Sequence, residues 1–138
     1  MTHPFDYTLT ALFCDDIRQE VGNKVSLMGC YQGELIVPAA PIVLPRLCVH
    51  VSLIAPTATR LKSLVFSVRV DPATELGRVQ IPKATLQAHH KAASGANPGV
   101  SAALVISPFQ IDKPCTLQVL ALVNDQTLTG PSLPIKVE

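Results

Sequence analysis

From residue 46 to residue 55 the side chains alternate well. Leu47, Val49, Val51 and Leu53 fall on one side, and Arg46, Cys48, His50 and Ser52 on the other. A period of two marks an extended strand with one buried face, because successive side chains of a pleated backbone point to opposite faces. The pattern returns in Leu64, Phe66, Val68 and Val70 against Ser63, Val65, Ser67 and Arg69, and in Val79 and Ile81 against Arg78 and Gln80. Leu61, Leu64, Val65 and Val68 also fit a helical stripe, but β-branched and aromatic content and the Asp71-Pro72 stop decide for a strand.

Near the start Tyr7, Leu9, Ala11 and Phe13 alternate with Thr8, Thr10 and Leu12, and Val25, Leu27, Gly29 and Tyr31 form a second run. Gly22-Asn23 before that run predicts a hairpin. Between the two runs, residues 14–20 read either as one helical turn capped by Asp15 or Asp16, or as a bulged continuation of the first strand. Residues 100–106, 115–123 and 133–137 are rich in Val, Leu and Ile. The middle one is apolar on both faces, as a central strand is, while Pro131 and Pro134 place the last one at an edge. Residues 88–99, small, polar and bearing Gly and Pro, predict a long exposed loop.

Twelve Pro and seven Gly spread along 138 residues give a spacing that suits strands better than long helices. Eight or nine short strands predict an all-β chain: a two-layer antiparallel β-sandwich, immunoglobulin-like or C2-like in shape, with a β-barrel as the competing geometry. No Trp is present, so the immunoglobulin core of Trp and disulfide does not apply. The length suits a single domain over residues 1–138, and 48% hydrophobic against 15% charged residues is enough apolar material for a core.

Charge and aromatic content narrow the partners. Eleven Lys and Arg against ten Asp and Glu give a net charge of +1, and four Phe with two Tyr offer few stacking platforms. Neither a nucleic acid nor a membrane surface is expected to bind. Residues 1–13 show no basic segment followed by an apolar run, and no apolar stretch approaches the roughly 18 residues that span a bilayer. A cytoplasmic setting is therefore expected, with Cys14, Cys30, Cys48 and Cys115 as free packed thiols. In a secreted form these four cysteines would allow three pairings.

No set of residues carries a strong catalytic or cofactor signature. Asp15 and Asp16, with Asp6 and Glu20 nearby, suggest an oxygen-ligand cation site, as do the turn acids Asp71, Glu75 and Asp125, but no EF-hand spacing is present. A cap or a solvated turn explains the adjacent pair more simply. His89 and His90 would face opposite sides of a strand, and no C-x-x-C pair accompanies the scattered cysteines, so no metal or other cofactor is expected. Cys48 and His50 share a strand face and form the one candidate nucleophile and base, against the plainer reading of a packed thiol beside a surface imidazole. Nucleophile-elbow, Walker, dinucleotide and H-E-x-x-H motifs are missing. Arg46, His50, Arg69 and Arg78 would form a modest basic patch if their strands were neighbours, and are otherwise scattered solvated charges.

Phe13-Cys14-Asp15-Asp16-Ile17-Arg18-Gln19-Glu20, followed by Gly22-Asn23-Lys24-Val25-Ser26-Leu27-Met28-Gly29-Cys30-Tyr31, carries the pattern C-D-D-x-R-x-E, then G-x-K-x-S-L-x-G-x-Y. This resembles the opening of an uncharacterised bacterial family of small predicted β proteins. The resemblance implies a two-part β opening around the Gly-Asn turn and no activity. Asp15, Asp16, Arg18, Glu20, Asn23, Lys24 and Gly29 also have structural roles open to them. Asn23 tolerates left-handed backbone, Gly29 permits close approach or a bulge, and Asp16 is expected to pair with Arg18 or Lys24.

The functional expectation is a non-enzymatic module that binds a protein partner or forms a homo-oligomer. Leu12, Ile54, Val65 and Leu120, apolar on faces read as outward, motivate it. The alternative is a sandwich that binds a metal or small ligand through Asp15, Asp16 and the turn acids, with hydrolytic activity as its extension.

Overall fold

A computed structural model describes residues 7–56, 59–71, 73–92 and 99–138 of the chain. The elements in order are β1 (Thr8–Cys14), β2 (Asp16–Glu20), β3 (Lys24–Met28), β4 (Leu35–Val37), β5 (Ile42–Leu44), β6 (Leu47–Ile54), β7 (Leu64–Val70), β8 (Thr74–Gln80), α1 (Lys83–Ala92), β9 (Val100–Ile106), β10 (Phe109–Ile111), β11 (Cys115–Val123) and β12 (Gln126–Val137). The chain is predominantly β, as its alternation requires. The twelve strands among the described residues exceed the expected eight or nine because β4, β5 and β10 hold three residues each, too short to show a period.

Strands β1, β6 and β9 form a three-stranded antiparallel sheet in that order, and β4-β12-β11-β7-β8 a five-stranded one. The inward rows of β6 and β7 are those read from the sequence, and β11 adds a third. Leu47, Val49, Val51 and Leu53 of one sheet and Leu64, Phe66, Val68, Leu117, Val119 and Ala121 of the other are all fully buried in one apolar cluster. Burying each large member contributes about 1.5–3 kcal/mol. The sheets also adjoin at both sides, β1 against β12 and β8 against β9. β5 pairs with β10, and β2 pairs with β3 as a separate hairpin.

Three expectations are corrected. Residues 14–20 contain no helical turn: Asp15 is a bend between β1 and β2, so neither aspartate caps a helix. Residues 88–92 belong to α1 and not to a loop, while 93–98 lie outside the described residues. Helical signal outweighed polarity there, for Lys83, Ala84, Leu86, Gln87 and Ala88 favour a helix, and the amides of Thr85 and Leu86 bond the Pro82 carbonyl. Finally, β12 is not an edge strand throughout, since Ile135–Val137 accept β4 as a parallel neighbour. Its prolines lie before that section. Pro134 opposes Thr116, and Pro131 borders a bulge where Gln118 Nε2 donates to the Gly130 carbonyl at 2.5 Å.

Candidate functional site

The polar residues of the opening segment collect at the root of the β2–β3 arm. The amide of Asp15 is shared by the carbonyls of Met28 (2.9 Å) and Gly29 (3.2 Å), and the amide of Tyr31 bonds the Phe13 carbonyl at 2.9 Å. These bonds tie both legs of the arm to the end of β1. Gly29 has φ +69°, and a Cβ there would lie 2.8 Å from Asp15 Cγ, so the bend closes only over glycine. At the far end Gly22 (φ +88°) and Asn23 (φ +58°) turn the chain between Glu20 and Lys24, as the Gly-Asn pair predicts.

Both aspartates are engaged within the fold. Tyr31 donates its hydroxyl to Asp15 Oδ1 at 2.6 Å, and Arg46 Nη1 donates to Asp16 Oδ1 at 2.8 Å. Burial and this bond push the Tyr31 phenol well above its ordinary range. The expected pairing of Asp16 with Arg18 or Lys24 is thereby corrected. The register sets Met28 opposite Asp16, Ser26 opposite Arg18 and Lys24 opposite Glu20, leaving no cation across from Asp16. Arg18 reaches Glu20 instead, at 3.8 Å. Sequence reading missed the roles of Tyr31 and Arg46. The antiparallel count back from Gly29 to Asp15 was the signal that could have placed Tyr31.

Beneath this bend lie two thiols. Cys14 and Cys48 are directly opposed in the β1–β6 ladder, next to the core pair Phe13 and Val49, and so share the outer face of the sheet. The Asp15–Asp16 bend covers both. Cys14 Sγ donates to the Asp16 carbonyl at 3.5 Å and Cys48 Sγ to the Asp15 carbonyl at 3.7 Å. Burial, then Cys48 and Cys30, push the Cys14 thiol up to about 11. Burial also raises Cys48, against a lowering pull from Arg46. Cys30 is exposed, unlike the packed thiol expected there, and half-buried Cys115 lies elsewhere, raised by burial and Asp71.

Between the arm and the outer face of β6 and β9 opens a cleft of about 470 Å³, lined by Gln19, Asn23, Val25, His50, Ser101 and Ala103. Ser101 donates to the Ser52 hydroxyl at 3.0 Å beside it. Half-buried His50 borders this cleft, whereas the Cys48 thiol turns under the bend to the Asp15 carbonyl. The candidate nucleophile is a buried, protonated donor on the same face as its supposed base.

The remaining candidates do not converge. Asp71 accepts the Thr116 amide at 3.1 Å, Glu75 holds Arg78 at 3.2 Å and Arg69 at 3.9 Å, and Asp125 stands in the β11–β12 turn with φ +70°. Asp6 lies outside the described residues. Among the described residues no three His, Cys, Asp or Glu side chains gather as a metal site. His89 and His90 lie on α1, neither on a strand nor on a loop. The basic patch is dispersed, because Arg46 and His50 belong to the three-stranded sheet and its entrance while Arg69 and Arg78 belong to the five-stranded one. Among the described residues no helix is long and apolar enough to cross a membrane.

A family model described as a family of unknown function, DUF6941, matches residues 9–138. The chain belongs to DUF6941. The match takes in every element after the first residue of β1, including the arm, its root and the cleft. DUF6941 is an uncharacterised family, as the opening motif led one to expect, and the assignment carries no activity. No curated protein matches the chain.

Proposed function

We propose that this DUF6941 chain is a non-enzymatic β-sandwich module that binds protein, in the first instance a second copy of itself, through the outer face of the β1–β6–β9 sheet. One observation carries the reading. Leu12, Ile54 and Val105 stand 51%, 40% and 55% exposed, and alternation with core-facing neighbours puts all three on that outer face. Large apolar side chains gathered on one sheet face mark an interaction surface. The face already accepts a β layer where the arm crosses the Cys14–Cys48 end, so its geometry suits docking. Support for the sandwich form is the core shared by two sheets, and the barrel alternative rests on their contact at both edges. The setting in a bacterial cytoplasm rests on the opening motif and on unpaired thiols.

A two-fold dimer is the default arrangement for a self-complementary face. Sedimentation equilibrium at high micromolar concentration tests it. Dimer formation that is lost in the Leu12→Glu, Val105→Glu double variant supports the reading, and a strict monomer in the parent chain retires self-association. The small-ligand alternative has its best support in the cleft beside His50, since Asp15 and Asp16 already have partners. Calcium, magnesium and zinc should each leave the melting temperature unchanged. A rise with any of them would reinstate the metal alternative by mass action.

A further inference from the structure

We infer that Cys14 and Cys48 form a redox-sensitive thiol pair that closes to a disulfide across the β1–β6 ladder, with exposed Cys30 as the thiol through which oxidation arrives. The strand register brings the two thiols together, independently of the docking surface. Directly opposed residues of an antiparallel pair have Cα atoms about 4.5 or 5.5 Å apart. A disulfide spans Cα separations of roughly 4.4–6.8 Å, and both spacings fall within that range. Both thiols occupy the same outer face and bond consecutive carbonyls of one bend, which brings the sulfurs together under Asp15 and Asp16. Cys30 sits between Gly29 and Tyr31, whose backbone bonds join this bend to β1, and it is exposed where the other two are buried.

The oxidant is a low-molecular-weight disulfide. The Cys30 thiolate attacks one of its sulfurs, the S–S bond breaks, and one small thiol leaves. The Cys14 thiolate then attacks Cys30 Sγ and expels the second small thiol. Cys48 finally displaces Cys30 from Cys14, leaving the Cys14–Cys48 bond and a restored Cys30 thiol. Two protein thiols are oxidised, one small disulfide is reduced to two thiols, and the two protons go to the departing thiolates. Charged and titratable groups facing the pair are Asp15, Asp16, Cys30, Tyr31 and Arg46. Because burial holds the Cys14 and Cys48 thiols protonated, their exchange accelerates as pH rises. Closure removes both S–H donors from the bend and so loosens the root of the arm.

The test treats the full chain with oxidised glutathione at pH 8, quenches with N-ethylmaleimide and maps linked peptides by mass. A Cys14–Cys48 bridge is expected, formed roughly tenfold more slowly in Cys30→Ser because the relay thiol is gone. Amide exchange at Asp15 and Tyr31 in the bridged form should be several-fold faster than in the reduced form. A lasting Cys14–Cys30 bridge, a mixed disulfide on Cys30 alone, or no bridge overturns the pair. An unchanged rate in Cys30→Ser overturns the relay, and unchanged exchange overturns the loosening.

Discussion

Gly29 and Gly33 both hold left-handed backbone, at φ +69° and +88°, yet they differ in their surroundings. Alanine at either position meets a backbone cost of about 1–2 kcal/mol. At Gly33 nothing lies within 4 Å, while at Gly29 the new methyl meets the Asp15 side chain. Gly29→Ala should therefore cost roughly 1–3 kcal/mol more than Gly33→Ala in urea denaturation, through overpacking at the bend. Equal losses would show that Asp15 yields freely. The titrating groups at the same root predict an alkaline limit. The Cys14 thiol ionises at its ordinary 9.0 in the unfolded chain but only at about 11 when folded, so its contribution is whole below pH 9 and lost on rising to about 11. Tyr31, also raised, adds a decline that begins above pH 10. The urea midpoint should fall across that window, and Cys14→Ser and Tyr31→Phe should each flatten part of the fall. Parallel curves in all three proteins would refute the assignment. At this scale the turn roles of Asn23 and Gly29 were legible because backbone conformation restricts residue type locally. The partners of Asp15 and Asp16 were not, since Arg46 is distant in sequence and comes near only when β6 lies beside β1.

Elements were legible in proportion to their amphipathicity. β6 and β7 each bury one row and face something other than core with the next, so alternation reveals them. Cys48 is an instructive departure. It points away from the core yet is buried, because the β2–β3 arm covers the outer face at that point. No local pattern reports a second layer folding back. β4, β5 and β10 lie among Pro38, Pro41, Pro45 and Pro108 and are held by partners far along the chain, so their strand character is tertiary in origin. Helix α1 lacks an apolar stripe for a related reason: over residues 83–88 only Leu86 is buried, at 2% exposure, with exposed neighbours on both sides. Among the described side chains of α1, Leu86 is the one buried in the core. Leu86→Ala should cost roughly 2–5 kcal/mol, the range for a deleted buried leucine. It should also raise amide exchange across 83–89 more than across β11. A loss below 0.5 kcal/mol would mean that the helix holds its place without that anchor.

The whole molecule depends on how two sheets meet along their sides, which alternation cannot foretell. Sequence reading placed Pro131 and Pro134 at a free edge, but the long strand β12 turns at the Gln118–Leu120 register shift. It borders β1 with its earlier part and β4 with its last residues. Gly130 lies at that shift. A Cβ there would sit 2.8 Å from Leu9 Cδ2, 3.0 Å from Leu9 Cγ and 3.3 Å from the Val119 carbonyl. The missing side chain is therefore what lets β1 approach β12, and Leu9 fills the space. If that contact controls the seam, Gly130→Ala should destabilise the fold by about 1–3 kcal/mol, the usual cost of overpacking. Leu9→Ala alone loses packing, but combined with Gly130→Ala it removes the clash, so the double variant should be more stable than the two losses added together. A coupling of about 0.5–3 kcal/mol is expected for side chains in contact. Gly77→Ala is the control, since its new methyl would meet Leu104 Cδ2 at an ordinary 3.8 Å. Additive losses at Leu9 and Gly130 would mean that the Val119 carbonyl, and not the partner across the seam, sets the need for glycine. The closing contact between the sheets would then have to be sought on the β8–β9 side.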